Sequence, residues 1–179
     1  MHKQSILFLL ILLWLPIEAI ASEDYPWLTD YNDNDAIVNR IAVPPGFERT
    51  LVAKESFGNW LRHLPLKPGN PLVYLYNGRE KANQSAHHAV INMDVGNRDL
   101  QQCADAIIRL KAEHLYSKRN YDAIHFNFTS GDEAAYKKWM RGYRPLVKGN
   151  QVTWRKKRRY DNSHRTFRKY TNTVFMYAG

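Results

Sequence analysis

Apolar residues along this chain alternate between helical and strand-like spacing, and the switches mark its elements. Phe57, Trp60, Leu61 and Leu64 recur at helical intervals behind Glu55 or Ser56, which predicts a short helix ended by Pro65. A longer helix is predicted from Asp99 to about Tyr116. Asp99 is its cap, Gln102 stands three residues later, and Leu100, Cys103, Ala104, Ile107, Leu110 and His114 form its apolar stripe. Ile124, Phe126 and Phe128 alternate with His125, Asn127 and Thr129, the period of a half-buried strand. Further strands are predicted over Phe47–Val52, Leu72–Tyr76 (closed by Asn77-Gly78), Ala89–Val95 and Gln151–Arg155. Ser130-Gly131-Asp132 should turn into a helix from Glu133 to Arg141, Pro145 should stop the segment after it, and Ser163 should cap a last helix carrying Phe167, Tyr170, Val174 and Phe175. Strands and helices mixed in this order predict a single α+β domain, a small mixed or antiparallel sheet packed with helices.

The N-terminus adds a processing signal. Lys3 precedes an apolar run from Ile6 to Leu15, and Ala19-Ile20-Ala21 supplies the small residues of a cleavage site. The run is well short of the roughly 20 residues a membrane-spanning helix needs. Residues 1–21 are therefore expected to be a signal peptide, with the mature chain starting near Ser22 and no membrane span left after cleavage. The protein is expected to be exported: periplasmic, held in the cell envelope, or secreted. Residues 22–43 form a polar N-terminal segment with five acids and one Arg, and residues 44–179 form the domain.

Composition then narrows the chemistry. Cys103 is the only cysteine, so intrachain disulfides and Cys-rich zinc frameworks are excluded. There is no P-loop, dinucleotide fingerprint, nucleophile elbow or His-Glu-x-x-His. Neither a metal nor a cofactor is called for. The formal charge is +9, and it is concentrated: residues 137–169 hold thirteen Lys and Arg against Asp161 alone. Such a block either attracts polyanions or forms a solvated face. Arg144, Arg155, Lys156, Lys157, Arg158 and Arg159 are its candidate binding residues. Trp139, Tyr143 and Trp154 interleave with these cations, as in surfaces that stack bases or sugars, but aromatics anchoring a core read the same way and both tryptophans are assigned to the core.

Cys103, near a helix N-terminus, is the candidate nucleophile, because unpaired N–H groups there stabilise a thiolate. It also falls on the apolar stripe, where a cysteine is buried and inert. His87, His88 and His125 are the candidate bases, and His125 with Asn127 makes a Cys-His-Asn grouping formally available.

Several blocks carry a family resemblance. These are Pro45-Gly46-Phe47-Glu48-Arg49, Ser56-Phe57-Gly58, Trp60-Leu61-Arg62, Asp94-Val95-Gly96, the run Arg98 to Ala106, His125 to Gly131, Gly142-Tyr143-Arg144-Pro145 and Tyr177-Ala178-Gly179. On them the chain resembles a bacterial exported family known as domain of unknown function 4846, from about Pro45 to Gly179. The resemblance brings no established activity. It implies a chain shortened at its C-terminus, because the family continues into a Gly-His-Ala strand. Its later His and helix-opening Cys look similar to papain-like and cell-wall NlpC/P60-like hydrolases. An incomplete papain-like fold follows from the resemblance, with the nucleophile position present and the likeliest base absent. Two function classes stand side by side: a relative of cysteine amidases or peptidases that lacks its base, and a non-catalytic module. The partner is cell-wall peptide or glycan in the first; in the second, anionic envelope glycan or nucleic acid.

Overall fold

Ser163 accepts a hydrogen bond from the Thr166 N–H at 3.3 Å and opens the last helix, α5, over His164–Tyr177. Phe167, Tyr170, Val174 and Phe175 are all buried on one face of it. The computed structural model describes residues 24–178; the expected signal peptide lies outside them. Four other helices precede α5: α1 (Ile37–Arg40), α2 (Phe57–Arg62), α3 (Cys103–Ser117) and α4 (Tyr136–Met140). The strands are β1 (His125–Asn127), β2 (Glu133–Ala135), β3 (Tyr143–Lys148) and β4 (Gln151–Lys156). They pair as two separate antiparallel hairpins, β1 with β2 and β3 with β4. The fold is thus a single mixed α+β domain. Among the described residues no helix is long and apolar enough to cross a membrane.

The main core lies where α3, β1–β2, α4 and α5 meet. Ala112, Ile124, Phe128, Ala134, Tyr136, Trp139, Met140, Phe167, Tyr170 and Val174 fill it. The Tyr170 hydroxyl, buried among them, donates to the Ala134 carbonyl at 2.6 Å, so its polar atom is not stranded. Trp139 is in this core and Trp154 packs against it, as predicted. A second cluster of Tyr25, Trp60 and Leu64, with Trp27, Tyr31 and Phe57 around it, packs against the other side of α3. The polar N-terminal segment therefore contributes an aromatic anchor, and the chain enters through a 3-10 turn and α1.

Several predicted elements differ. Phe47–Val52 is not a strand; Phe47 and Leu51 are 72% and 97% exposed. A strand persists only where a neighbour satisfies its backbone, and no described segment pairs with this one. Leu72–Tyr76 is reduced to a Tyr74–Glu80 bridge across the Asn77-Gly78 turn, and Ala89–Val95 to a Leu66–Ile91 bridge. Glu133 begins β2, not a helix: Gly131 adopts φ +86°, the chain reverses, and Ala134 pairs with Phe126. Pro145 does not stop its segment but sits inside β3 opposite Trp154. A two-stranded ribbon has only edge strands, where a proline can be absorbed.

The largest difference is in α3. Its cap is Gln102, whose N–H donates to the Asp105 carboxylate at 3.1 Å, so Cys103 is the first residue of the helix. Cys103, Ala104 and Ile107 are exposed, while Asp105, Arg109, Ala112, Glu113 and His114 are buried. Arg109 and Glu113 are fully buried and joined at 2.6 Å from Nε to Oε1. The other Glu113 oxygen lies 2.9 Å from His164 Nε2, which ties α3 to the start of α5.

Candidate functional site

The basic block folds around one glycine. Gly142 follows α4 with φ +94°, and its carbonyl accepts the N–H groups of Lys157 (2.9 Å) and Arg158 (3.1 Å). A Cβ on Gly142 would lie 1.9 Å from the Arg158 carbonyl oxygen, so only glycine permits this approach. The other end of the loop is held by Asp161. Its N–H donates to the Met140 carbonyl at 3.0 Å, and its carboxylate accepts from the Thr166 hydroxyl and from the Ser163 N–H. Those bonds, Thr166 first, hold the Asp161 carboxyl at a pKa of about 2. Residues 157–161 are therefore fixed against α4 and α5 at both ends.

Between this loop and α5 lies a cleft of about 880 Å3. Arg98, Arg144, Lys157, Arg158, Arg159 and Lys169 line it, with Asp161 the one acid among its lining residues. Arg144 is the most constrained of these. Its guanidinium carbon lies 3.8 Å from the Trp139 ring centroid, and Nη1 donates to the carbonyls of Trp139 (2.8 Å) and Tyr143 (2.7 Å). Burial, and then the nearby Arg158, weaken its hold on its proton. Among the described residues, Lys157, Arg158, Arg159 and Lys169 form no ion pair with a carboxylate. Their like charges line one cleft, and a bound polyanion would offset the repulsion among them.

The six predicted binding residues therefore divide. Arg144, Lys157, Arg158 and Arg159 line the cleft. Arg155 and Lys156 lie on β4, opposite Arg144 and Tyr143, and do not line it. Arg98 and Lys169 complete the lining and were not among the candidates; nothing in local spacing singles them out.

The thiol site is less assembled. Cys103 is exposed at the start of α3. His125 and Asn127 are exposed at the two ends of β1, and His125 Nδ1 faces the Glu133 carboxylate at 3.7 Å. His87 lies 3.1 Å from the Pro71 carbonyl. Among the described residues no hydrogen bond joins Cys103 to His125, Asn127, His87 or His88. His164, whose sequence surroundings give no signal, is the histidine placed against a buried carboxylate. Among the described residues no cluster of three or more His, Cys, Asp or Glu could hold a metal ion.

Fold and cleft together describe a small α+β domain with a cationic groove held open by its own backbone. The chain belongs to the family described as domain of unknown function (4846), whose model matches residues 37–179. The match begins eight residues before the first quoted block and so includes α1. No curated protein matches the chain, and no solved structure does.

Proposed function

We propose that this chain is an exported, non-catalytic module that binds an anionic polymer of the cell envelope in the cleft between residues 157–161 and α5. One observation carries the reading: six cations converge on a groove with one acid, three of them on a loop pinned by Gly142 and Asp161. The loop is ordered before any ligand arrives, so binding does not have to order it. Trp139 and Trp154 are committed to packing, so recognition rests mainly on charge, with the exposed Tyr160 as an aromatic wall of the cleft.

Binding of an acidic polysaccharide such as polygalacturonate, measured by fluorescence anisotropy, should weaken by about two orders of magnitude between about 50 and 200 mM salt. The Lys157→Gln/Arg158→Gln variant should bind more weakly and reduce the salt slope by about two. Binding that ignores salt, or that the double variant leaves intact, removes the cleft from the function. Single-stranded DNA binding more tightly than the polysaccharide would replace glycan with nucleic acid as the partner.

A second reading, the papain-like thiol, is favoured by the exposure of Cys103 at the first residue of a helix. Iodoacetamide should then alkylate the folded protein faster than it alkylates free cysteine at neutral pH. A rate at or below that of free cysteine removes Cys103 as a nucleophile.

A further inference from the structure

A second opening lies beyond Lys169 and Asn172, which line both it and the basic cleft. It has a volume of about 430 Å3, with Trp27, Asp94, His164 and Arg168 among its walls. Behind it stands Arg109, fully buried. Its Nε is bonded to Glu113, and its Nη1 donates to Gln101 Oε1 at 3.2 Å and, more weakly, to the Asp94 carbonyl at 3.4 Å. Its Nη2 is buried and makes no hydrogen bond. Asp94 Oδ2 lies 3.7 Å from that Nη2, beyond hydrogen-bond distance. The other Asp94 oxygen lies 3.7 Å from Arg168 Nη2. The Asp94 carboxylate thus spans two guanidinium groups as a loose ion pair at 3.7 Å from each, with its side chain 63% exposed. A buried donor left unpaired costs stability, and the same group becomes an asset when a ligand supplies the acceptor.

We propose that this opening is a carboxylate-binding pocket, in which the acid group of a uronate sugar replaces Asp94 between Arg109 and Arg168. Asp94 shows what the space admits: a planar group with each oxygen turned to a different guanidinium, which a carboxylate seated closer would engage through charge-assisted hydrogen bonds. Asp94 belongs to an irregular stretch, so its side chain can withdraw without breaking an element. Burial, and next the charge of Arg109, lower the Arg168 pKa to about 10, with Asp94 and Glu113 acting in the opposite sense. Trp27 supplies the wall for the sugar ring. Its Nε1 donates to the Asn92 carbonyl at 2.8 Å and its ring packs edge-on against Tyr25 and Trp60, so the indole is fixed. The Glu113 carboxylate occupies Nε2 of His164, and Nδ1 has no hydrogen-bond partner among the described residues. That leaves a polar group for a sugar hydroxyl. The pocket goes beyond the polymer cleft and stands without it.

The test is titration of the full chain with glucuronate, followed through the Trp27 indole and His164 ring signals by NMR. Glucuronate should shift both, and glucose, the uncharged ring, should shift neither. Asp94→Ala removes the internal competitor and should tighten glucuronate binding by about tenfold. Arg168→Gln should abolish binding, and Arg168→Lys, which keeps the charge but not the fork, should weaken it. Lys157→Gln/Arg158→Gln should leave it unchanged, which separates this pocket from the cleft. Equal affinity in Asp94→Ala and the parent chain overturns the proposal. So does inorganic phosphate binding as tightly as glucuronate, or loss of binding in the Lys157/Arg158 variant.

Discussion

Replacing Glu113 by alanine is expected to lower the unfolding free energy by about 3–5 kcal/mol, the cost of leaving a buried charge without its partner. Arg109 has no exposed surface, and its Nε donates to Glu113 at 2.6 Å. Without that carboxylate the guanidinium cannot turn to water, and His164 loses its acceptor at 2.9 Å in the same step. A domain of this size is typically stable by about 5–15 kcal/mol, so the loss is a large part of the whole. Urea unfolding should show a lower midpoint with an unchanged slope. The double variant Arg109→Met/Glu113→Leu should be more stable than either single variant, because an apolar pair needs no compensation. A loss below about 1 kcal/mol for Glu113→Ala, the range of exposed pairs, would mean that water reaches the pair in solution.

That pair also shows why α3 was only half legible in the sequence. Periodicity places a helix here, but hydropathy assigns the wrong face to the interior. It favours Cys103, Ala104 and Ile107, which are exposed, over Asp105, Arg109 and Glu113, which are buried. The buried charges are tolerated because α5 brings His164 and the 92–99 segment brings Asp94, and neither partner is visible from α3 itself. Where burial is apolar the pattern sufficed: Ser163 and the stripe of α5, Ser56 and α2, and the alternation of β1 stand as predicted. The strand over 47–52 failed for the opposite reason, since strand propensity says nothing about whether a partner is present, while 72–76 keeps only a one-bridge pairing across its turn. For the cleft, charge density identified the segment but not the set. Arg98 joins from the loop before α3, while Arg155 and Lys156 sit elsewhere on β4. Convergence of that kind is a property of the folded chain.

Gly142→Ala is expected to cost about 2–4 kcal/mol and to weaken polyanion binding well beyond what the stability loss explains. Two effects combine. The residue has φ +94°, which an L side chain resists, and its Cβ would meet the Arg158 carbonyl oxygen at 1.9 Å and the carbonyl carbon at 2.6 Å. These are backbone atoms, so no rotamer change relieves the clash. The loop carrying Lys157, Arg158 and Arg159 must move away, losing the two hydrogen bonds to the Gly142 carbonyl. Gly149→Ala is the matched control. It has φ +55° at the turn between β3 and β4, and a Cβ there meets nothing within 4 Å. It should cost about 1–2 kcal/mol from backbone strain alone and leave binding unchanged. If both variants lose stability but only Gly142→Ala loses affinity for polygalacturonate, measured where each is fully folded, the placement of the 157–159 backbone is what makes the cleft. If Gly142→Ala binds as the parent does, the cations act as a diffuse charge, and the stitching by Gly142 serves the fold alone.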